Sequence, residues 1–360
     1  MSPLLKEVEK AGISGIKRKR NPGELPPSDF FAGSEKLRLE FAKLINVKES
    51  RRIAIIPSVS YGLANVAKNL RIESNQNIVV AAEQFPSNVY PWMRTCQEKG
   101  GQLKTVAPPD NLIDRGKIWN ERILNAIDKN TRLVALGHVH WADGTKFDLI
   151  EIRKRTTEVG ALLVIDGTQS VGALPFDVEK IQPDALICAG YKWLLGPYSI
   201  GLAYFSSYFD DGRPIEENWI NRKFSEDFTG LVIYQNEYQS GASRYDVGER
   251  SNFILTPMMT AALKQINQWK PANIQNYCAE ITREPIRQLR EAGFWVEDEN
   301  LRGHHLFGLR LPAQANLGKI KLQLKKNKIS VSWRGDAIRV SPHLYNSEKD
   351  LMKLVNVLKA

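Results

Sequence analysis

The chain has 360 residues, is 42% hydrophobic, and carries 50 basic against 40 acidic residues for a net charge of +10. That length suits one large domain with a smaller one, no apolar run approaches the ~20 residues that span a bilayer, and the first twenty residues lack the apolar stretch of a signal peptide, so a soluble, cytoplasmic protein is expected. Three scattered cysteines, Cys96, Cys188 and Cys278, argue against a disulfide framework and a zinc site, and the basic excess is spread too evenly for a nucleic-acid stripe, which favours small anionic partners.

The run Lys17-Arg18-Lys19-Arg20 sits in a proline-rich entry segment whose stretch NPGELPPSDFF (21–31) reads as extended. Leu37, Phe41, Leu44 and Ile45 then recur at helical spacing. Short apolar runs follow, and the spacing predicts strands over 52–57, 77–83, 102–107, 132–139, 161–166, 184–190 and 201–206. Amphipathic helical stretches such as 118–128 and 147–160 separate them. Continuous apolar strands joined by helices signal a mostly parallel central sheet sandwiched by helices, with right-handed crossovers. After about residue 255 two helices (256–268 and 273–292) precede strands in FWVED, HHLFGLRL, ISVSWR and AIRVSP and a closing helix from Ser347. The expected division is an N-terminal arm and helix (1–48), a large domain (49–255) and a small C-terminal α+β domain (256–360).

In such a sheet ligands sit at the carboxyl ends of the strands. Asp166 ends the strand ALLVID, and Lys192 directly follows DALICAG. PSVSYG (57–62) and EQFPSNVYPW (83–92) each end a strand and open a helix. The neutral amine of a lysine forms an imine with an aldehyde. A carboxylate against a pyridine nitrogen keeps that ring protonated and electron-withdrawing. A helix N-terminus with Ser58, Ser60 and the amides from Val59 onward suits a phosphate. Together these describe a site for pyridoxal 5′-phosphate (PLP). His138 and His140 share a face at a probable strand end, but no third ligand is near in sequence, so no metal is expected.

The stretch VIDGTQSVGALPFDVEKIQPDALICAGYKWLLGPYSIG (164–201) resembles the signature of the class V aminotransferase family. That group of fold-type I PLP enzymes includes cysteine desulfurases, kynureninase and isopenicillin N epimerase-like proteins. The resemblance implies that Asp166 binds the pyridine nitrogen, Gln169 the phenolic oxygen, and Lys192 the aldehyde as a Schiff base. It extends to SVSYGLANVA, which would put Ser60 and Val59 on the phosphate, and to QFPSNVYPW, which would stack Phe85 on the ring. RYDVGERSNF implies that Gly248, Glu249 and Arg250 approach the partner subunit of a homodimer. AIRVSPHLYN implies that Arg339 clamps the substrate carboxylate, with Arg334 a close competitor.

The departures bear on the reaction. Ala189-Gly190-Tyr191-Lys192 replaces the Ser-x-His-Lys of many relatives, so Tyr191 is a candidate for the phosphate. Trp141 stands near the substrate where desulfurases often have Asn. SWRGDAIRVSP (332–342) is a short strand connection without a cysteine, which argues against desulfurase activity. The expectation is an enzyme that removes the α-proton of an amino acid with Lys192 as base, an aminotransferase first. A β-eliminating, C–S-cleaving or kynureninase-like lyase or hydrolase, an epimerase, and a non-catalytic binding protein of the same fold are the alternatives.

Overall fold

The computed structural model describes residues 1–312, 314–335 and 337–359. Seven strands build the main sheet: β1 (Ile53–Ile56), β2 (Asn77–Ala81), β3 (Gln102–Val106), β4 (Thr131–Gly137), β5 (Leu162–Asp166), β6 (Ala185–Ala189) and β7 (Gly201–Phe205). Their spatial order is β1-β7-β6-β5-β4-β2-β3. The strands from β6 through β5, β4 and β2 to β3 pair in parallel. Only β7 runs against its neighbours β6 and β1. All but β7 therefore end at one edge, which is where the sequence expects its ligand.

These strands read as continuous apolar runs because both faces are covered. Ile53, Ile55, Val134, Leu136, Leu163 and Ile165 fall in one buried cluster. Their alternate neighbours Ala54, Ile56, Leu133, Ala135, Leu162 and Val164 fall in another, the two-residue period of a pleated strand. Chain order places α1 (Lys6–Arg18) and α2 (Asp29–Leu44) before the sheet. The helices α3 (Val59–Asn69), α4 (Tyr90–Lys99), α5 (Arg115–Ala126), α6 (Leu149–Val159) and the short α7 (Val178–Ile181) lie between strands, and α8 (Leu255–Trp269) follows them. Residues of α2, α5, α6 and α8 fill the first cluster, and those of α3 and α4 the second. Local chemistry sets the ends: Asp148 accepts from the amides of Ile150 and Glu151 at the start of α6, and Gly160 closes it in the left-handed region.

After α8 come α9 (Pro271–Glu291), β8 (Phe307–Arg310), α10 (Leu317–Lys326), β9 (Ser332–Arg334), β10 (Ala337–Val340) and α11 (Glu348–Lys359). The three strands form an antiparallel sheet ordered β8-β10-β9, and residues of all three helices share its core.

Three expectations need correction. The entry segment is not extended throughout. Pro22 opens a 3-10 turn, where a missing N–H costs nothing, and α2 begins at Asp29. The Lys17–Arg20 run is not part of that segment either, since Lys17 and Arg18 close α1 and Arg18 pairs with Asp29. FWVED forms no strand: a reciprocal pair of backbone hydrogen bonds joins Trp295 to Arg310, and nothing extends it. The helix α1 was not expected because its contact stripe is partly glycine. A Cβ on Gly15 would lie 2.2 Å from the carbonyl oxygen of Phe253, and one on Gly12 would lie 2.7 Å from the Met258 sulfur. Glycine permits this close approach but leaves no apolar signature for a periodicity to reveal.

Candidate active site

The carboxyl-edge loops enclose a cavity of about 240 Å³ that Asp166, Gln169, Lys192, Phe85 and Trp141 all line. Val59, Ser60 and Tyr191 line it too. The sequence distributes these residues over more than a hundred positions, and the parallel sheet brings them to one edge.

Its floor is the junction of β5 and β6. Asp166 Oδ1 accepts from the Thr168 amide at 2.9 Å, and the Thr168 hydroxyl accepts from the Ala189 amide at 3.1 Å. Gly167 N–H donates to the Ile187 carbonyl at 2.8 Å. Asp166 and Lys192 are thus held on adjoining, cross-linked strand ends. Burial raises the Asp166 carboxyl's affinity for a proton, and the Thr168 contacts only partly oppose this. Burial also lowers Lys192 to about 8; Asp166 acts in the opposite sense, and Arg339 and Arg334 push it further down. A lysine near 8 keeps a usable fraction of neutral amine at physiological pH.

The next loop wraps onto this floor. Gln169 Oε1 accepts from the indole N–H of Trp193 at 3.1 Å, and its backbone carbonyl lies 2.7 Å from His305 Nε2. The amide is thereby oriented, and its Nε2 is left buried without a partner among the described residues. An unused donor on the cavity wall is costly unless a ligand accepts from it. Gly172 lets this loop pass beneath the lysine, because it adopts φ +103° and a Cβ there would lie 2.3 Å from the Trp193 carbonyl oxygen. Gly172→Ala is expected to cost at least about 1–3 kcal/mol in strain alone. A fall in denaturation midpoint together with weaker PLP uptake would show it; an unchanged midpoint would remove this role.

Opposite the floor, Ser58 caps α3 by accepting from the Tyr61 amide at 3.2 Å, and its hydroxyl lies 2.9 Å from that of Ser60. The first-turn amides of α3 have no acceptor within the helix, so hydroxyls and N–H groups converge here. The rings of Tyr191 and Tyr198 lie 4.5 Å apart on the neighbouring wall. Phe85 sits 5.4 Å from Lys192 Nζ and meets Trp141 edge-on, also at 5.4 Å. Its loop is anchored beneath by Gln84, which donates to the Ala135 and Asn88 carbonyls, and by Asn88, which accepts from Trp92. Trp141 donates to the Glu83 carbonyl at 2.6 Å, and Arg339 Nη1 donates to the Trp141 carbonyl at 2.8 Å. Arg339 does not line this cavity; with Ser332 and Trp193 it lines a second one, and Lys192 and Gln169 border both.

Thr168, Gln84, Asn88 and Tyr198 escaped the sequence reading. Thr168 lies between Asp166 and Gln169 and was within reach of it, whereas Gln84 and Asn88 act only through tertiary contacts. The two histidines have separate lives. His138 is buried and lowered to about 3, and His140 Nδ1 lies 3.1 Å from Asp143, which pairs with Arg115. No group of three potential ligands among the described residues is placed to hold a metal ion. Gly248, Glu249 and Arg250 do not line the cavity. Arg250 is buried in its own chain against Asp246, which leaves only Gly248 and Glu249 with surface to offer a partner.

The family model for class V aminotransferases matches residues 27–354. An uncharacterized aminotransferase of Bacillus subtilis, YcbU, is 27% identical over 91% of this chain and 83% of its own length. A probable cysteine desulfurase of Methanothermobacter thermautotrophicus is 34% identical, but over 48% of this chain and 42% of that protein. Among solved structures, the apo cysteine desulfurase of Thermococcus onnurineus superposes with a TM-score of 0.83 at 21% identity, covering 99% of this chain and 92% of that one. The cystine C–S lyase C-DES in complex with cysteine persulfide gives 0.86 at 18% identity, covering 99% and 94%.

Proposed function

Because the chain belongs to the class V aminotransferase family, we propose that it is a PLP-dependent aminotransferase acting on an amino acid through Lys192. Its cofactor is PLP, which supplies an aldehyde carbon for the lysine and a ring that draws electrons from the substrate's α-carbon. The residues fit that group. Asp166 is a buried carboxylate that gains from a cationic partner, as a protonated ring nitrogen would be. Gln169 Nε2 is a buried donor lacking an acceptor among the described residues, and the start of α3 presents hydroxyls and amides for a phosphate.

The observation that carries the reading is the pairing of a lowered Lys192 with the buried Asp166 in one cavity. Lys192 Nζ would bind the aldehyde in its neutral form and, once released, would take the substrate's α-proton and pass it to the carbon that carried the aldehyde, a role worth ~10²–10⁴-fold. Phe85 would hold the ring from one face, and Arg339 would orient the substrate carboxylate. The transferase reading is favoured because it asks for no further acid or thiol. All three cysteines are buried and none lines the cavity. Two residues join β9 to β10, Gly335 and Asp336, and the latter lies outside the described residues.

Titrating the holoenzyme with amino acids in the absence of an oxo acid tests this. The visible band should disappear with stoichiometric release of the 2-oxo acid, then return when an oxo acid is added. Continuous release of ammonia or sulfide would make it a lyase instead. A pH dependence also follows. The reaction of Lys192 with added PLP should accelerate about tenfold per pH unit up to about pH 8 and level off above it, because only the neutral amine attacks. Stopped-flow absorbance on apoprotein measures it. A homodimer belongs to the same proposal. Val232, Ile233 and Tyr234 are 82%, 67% and 94% exposed, an apolar run of the kind that subunit contacts cover. Light scattering at working concentration would test it.

A further inference from the structure

Two guanidinium groups stand against Trp141, a residue of the cavity wall. In the β9–β10 hairpin Ala337 pairs with Arg334 and Arg339 pairs with Ser332. Cross-strand partners share a face, and so do residues two apart. Arg334 and Arg339 are therefore diagonal neighbours on one face. Both project toward Trp141: the Arg334 guanidinium lies 4.9 Å from the centre of its ring, and Arg339 donates to its carbonyl.

Neither has a carboxylate partner among the described residues. Arg339 donates to the Trp141 carbonyl and Arg334 to the Trp333 carbonyl, and the Nε of each is buried without a partner. Burial lowers Arg339 to about 10, and Arg334 adds to the effect. Lys192 feels both. Elsewhere in the chain Arg38 and Arg250 share Asp246 and Arg115 has Asp143, whereas buried Arg302 donates to the Glu297 and Gly303 carbonyls. The α-carboxylate of an amino acid would neutralise one of these two arginines. The other remains an unmatched charge with a planar hydrogen-bonding edge.

We propose that Arg334 receives a second anionic group, so that the substrates are dicarboxylic amino acids and their 2-oxo acids. This rests on the PLP reading above, because it takes Arg339 as the α-carboxylate site. Trp141 holds the Arg334 plane by its face and leaves the guanidinium edge free for the distal carboxylate. Arg334 then separates dicarboxylic from neutral substrates of the same length.

The test uses unreactive ligands. Succinate and glutarate are titrated against butyrate and valerate by calorimetry, with wild type, Arg334→Gln, Arg334→Lys and Arg339→Gln, each as holoenzyme and as apoprotein. Wild type is expected to bind the dicarboxylates about tenfold or more tightly, the scale of one charge-assisted hydrogen-bonded pair. Arg334→Gln should bring that ratio to within about twofold and leave the monocarboxylates unchanged, while Arg334→Lys keeps part of it. Arg339→Gln should weaken both classes. Equal binding of the two classes by wild type, or a ratio that survives in Arg334→Gln, overturns the proposal. Melting curves report whether each variant folds. Failure to take up PLP would sink the cofactor reading alone, because the apoprotein titration still decides the role of Arg334.

Discussion

Lys192→Ala is expected to remove the visible absorbance of the PLP-loaded protein, to leave nothing for borohydride to fix, and to lower turnover by at least ~10²–10⁴-fold. Two functions end together: the amine that captures the aldehyde, and the base that handles the α-proton. The fold should not suffer. Lys192 Nζ makes no hydrogen bond to a described residue, and its ammonium is disfavoured by burial and by Arg339 and Arg334. The folded-state pKa, about 8, lies below the ordinary value of 10.5, so the charged lysine weakens the native state below pH 8. That penalty fades as pH rises from about 8 to 10.5. Apo Lys192→Ala should therefore melt at or above wild type at pH 7, with the gap closing toward pH 10. A variant that keeps a borohydride-fixable band would move the Schiff base to another lysine. A variant that melts far lower would make Lys192 a structural residue.

The strands of the main sheet were legible because burial on both faces leaves continuous apolar runs, and all seven appear where those runs predict. The cavity was legible for a related reason. Asp166 ends a strand, and Ser60, Phe85 and Lys192 each come within four residues of a strand's end, so a parallel sheet must bring them to one edge. What escaped depends on contacts with no local signature. The stripe of α1 is partly glycine, and its meaning lies in Phe253 and Met258. The buried end of Gln84 is defined by Ala135 and Asn88, fifty-one and four residues away. Arg250 reads as a surface residue in a polar stretch, yet it turns inward because Asp246, four residues earlier, is buried with it. A charge pair of that kind is invisible until both partners are seen to be inside.

Asp246→Ala is expected to be the most damaging single change to stability. Asp246 has no exposed surface and serves three elements at once. It pairs with Arg38 of α2, accepts the Ile55 amide of β1 at 2.7 Å, and lies 3.3 Å from Arg250 Nε. Because β1 is an edge strand, Asp246 also occupies a backbone donor there. Truncation leaves two buried guanidinium groups with only the half-exposed Glu35 as a carboxylate partner, and breaking a buried pair costs about 3–5 kcal/mol, a large share of the 5–15 kcal/mol that typically separates native from unfolded protein. Arg38→Met should cost less, because Asp246 would keep both Arg250 and the Ile55 amide. Asp246→Asn should fall between, keeping an acceptor while losing the charge. Urea midpoints give the order; an Arg38→Met as damaging as Asp246→Ala would deny Asp246 its central place. The effect should also reach the site. The Tyr61 hydroxyl donates to the Asp246 carbonyl and to Glu216, and Tyr61 lies in the first turns of α3, at the helix end offered to the phosphate. Slackening the Asp246 segment frees that helix end, so PLP affinity should fall in Asp246→Ala even at temperatures where the protein stays folded.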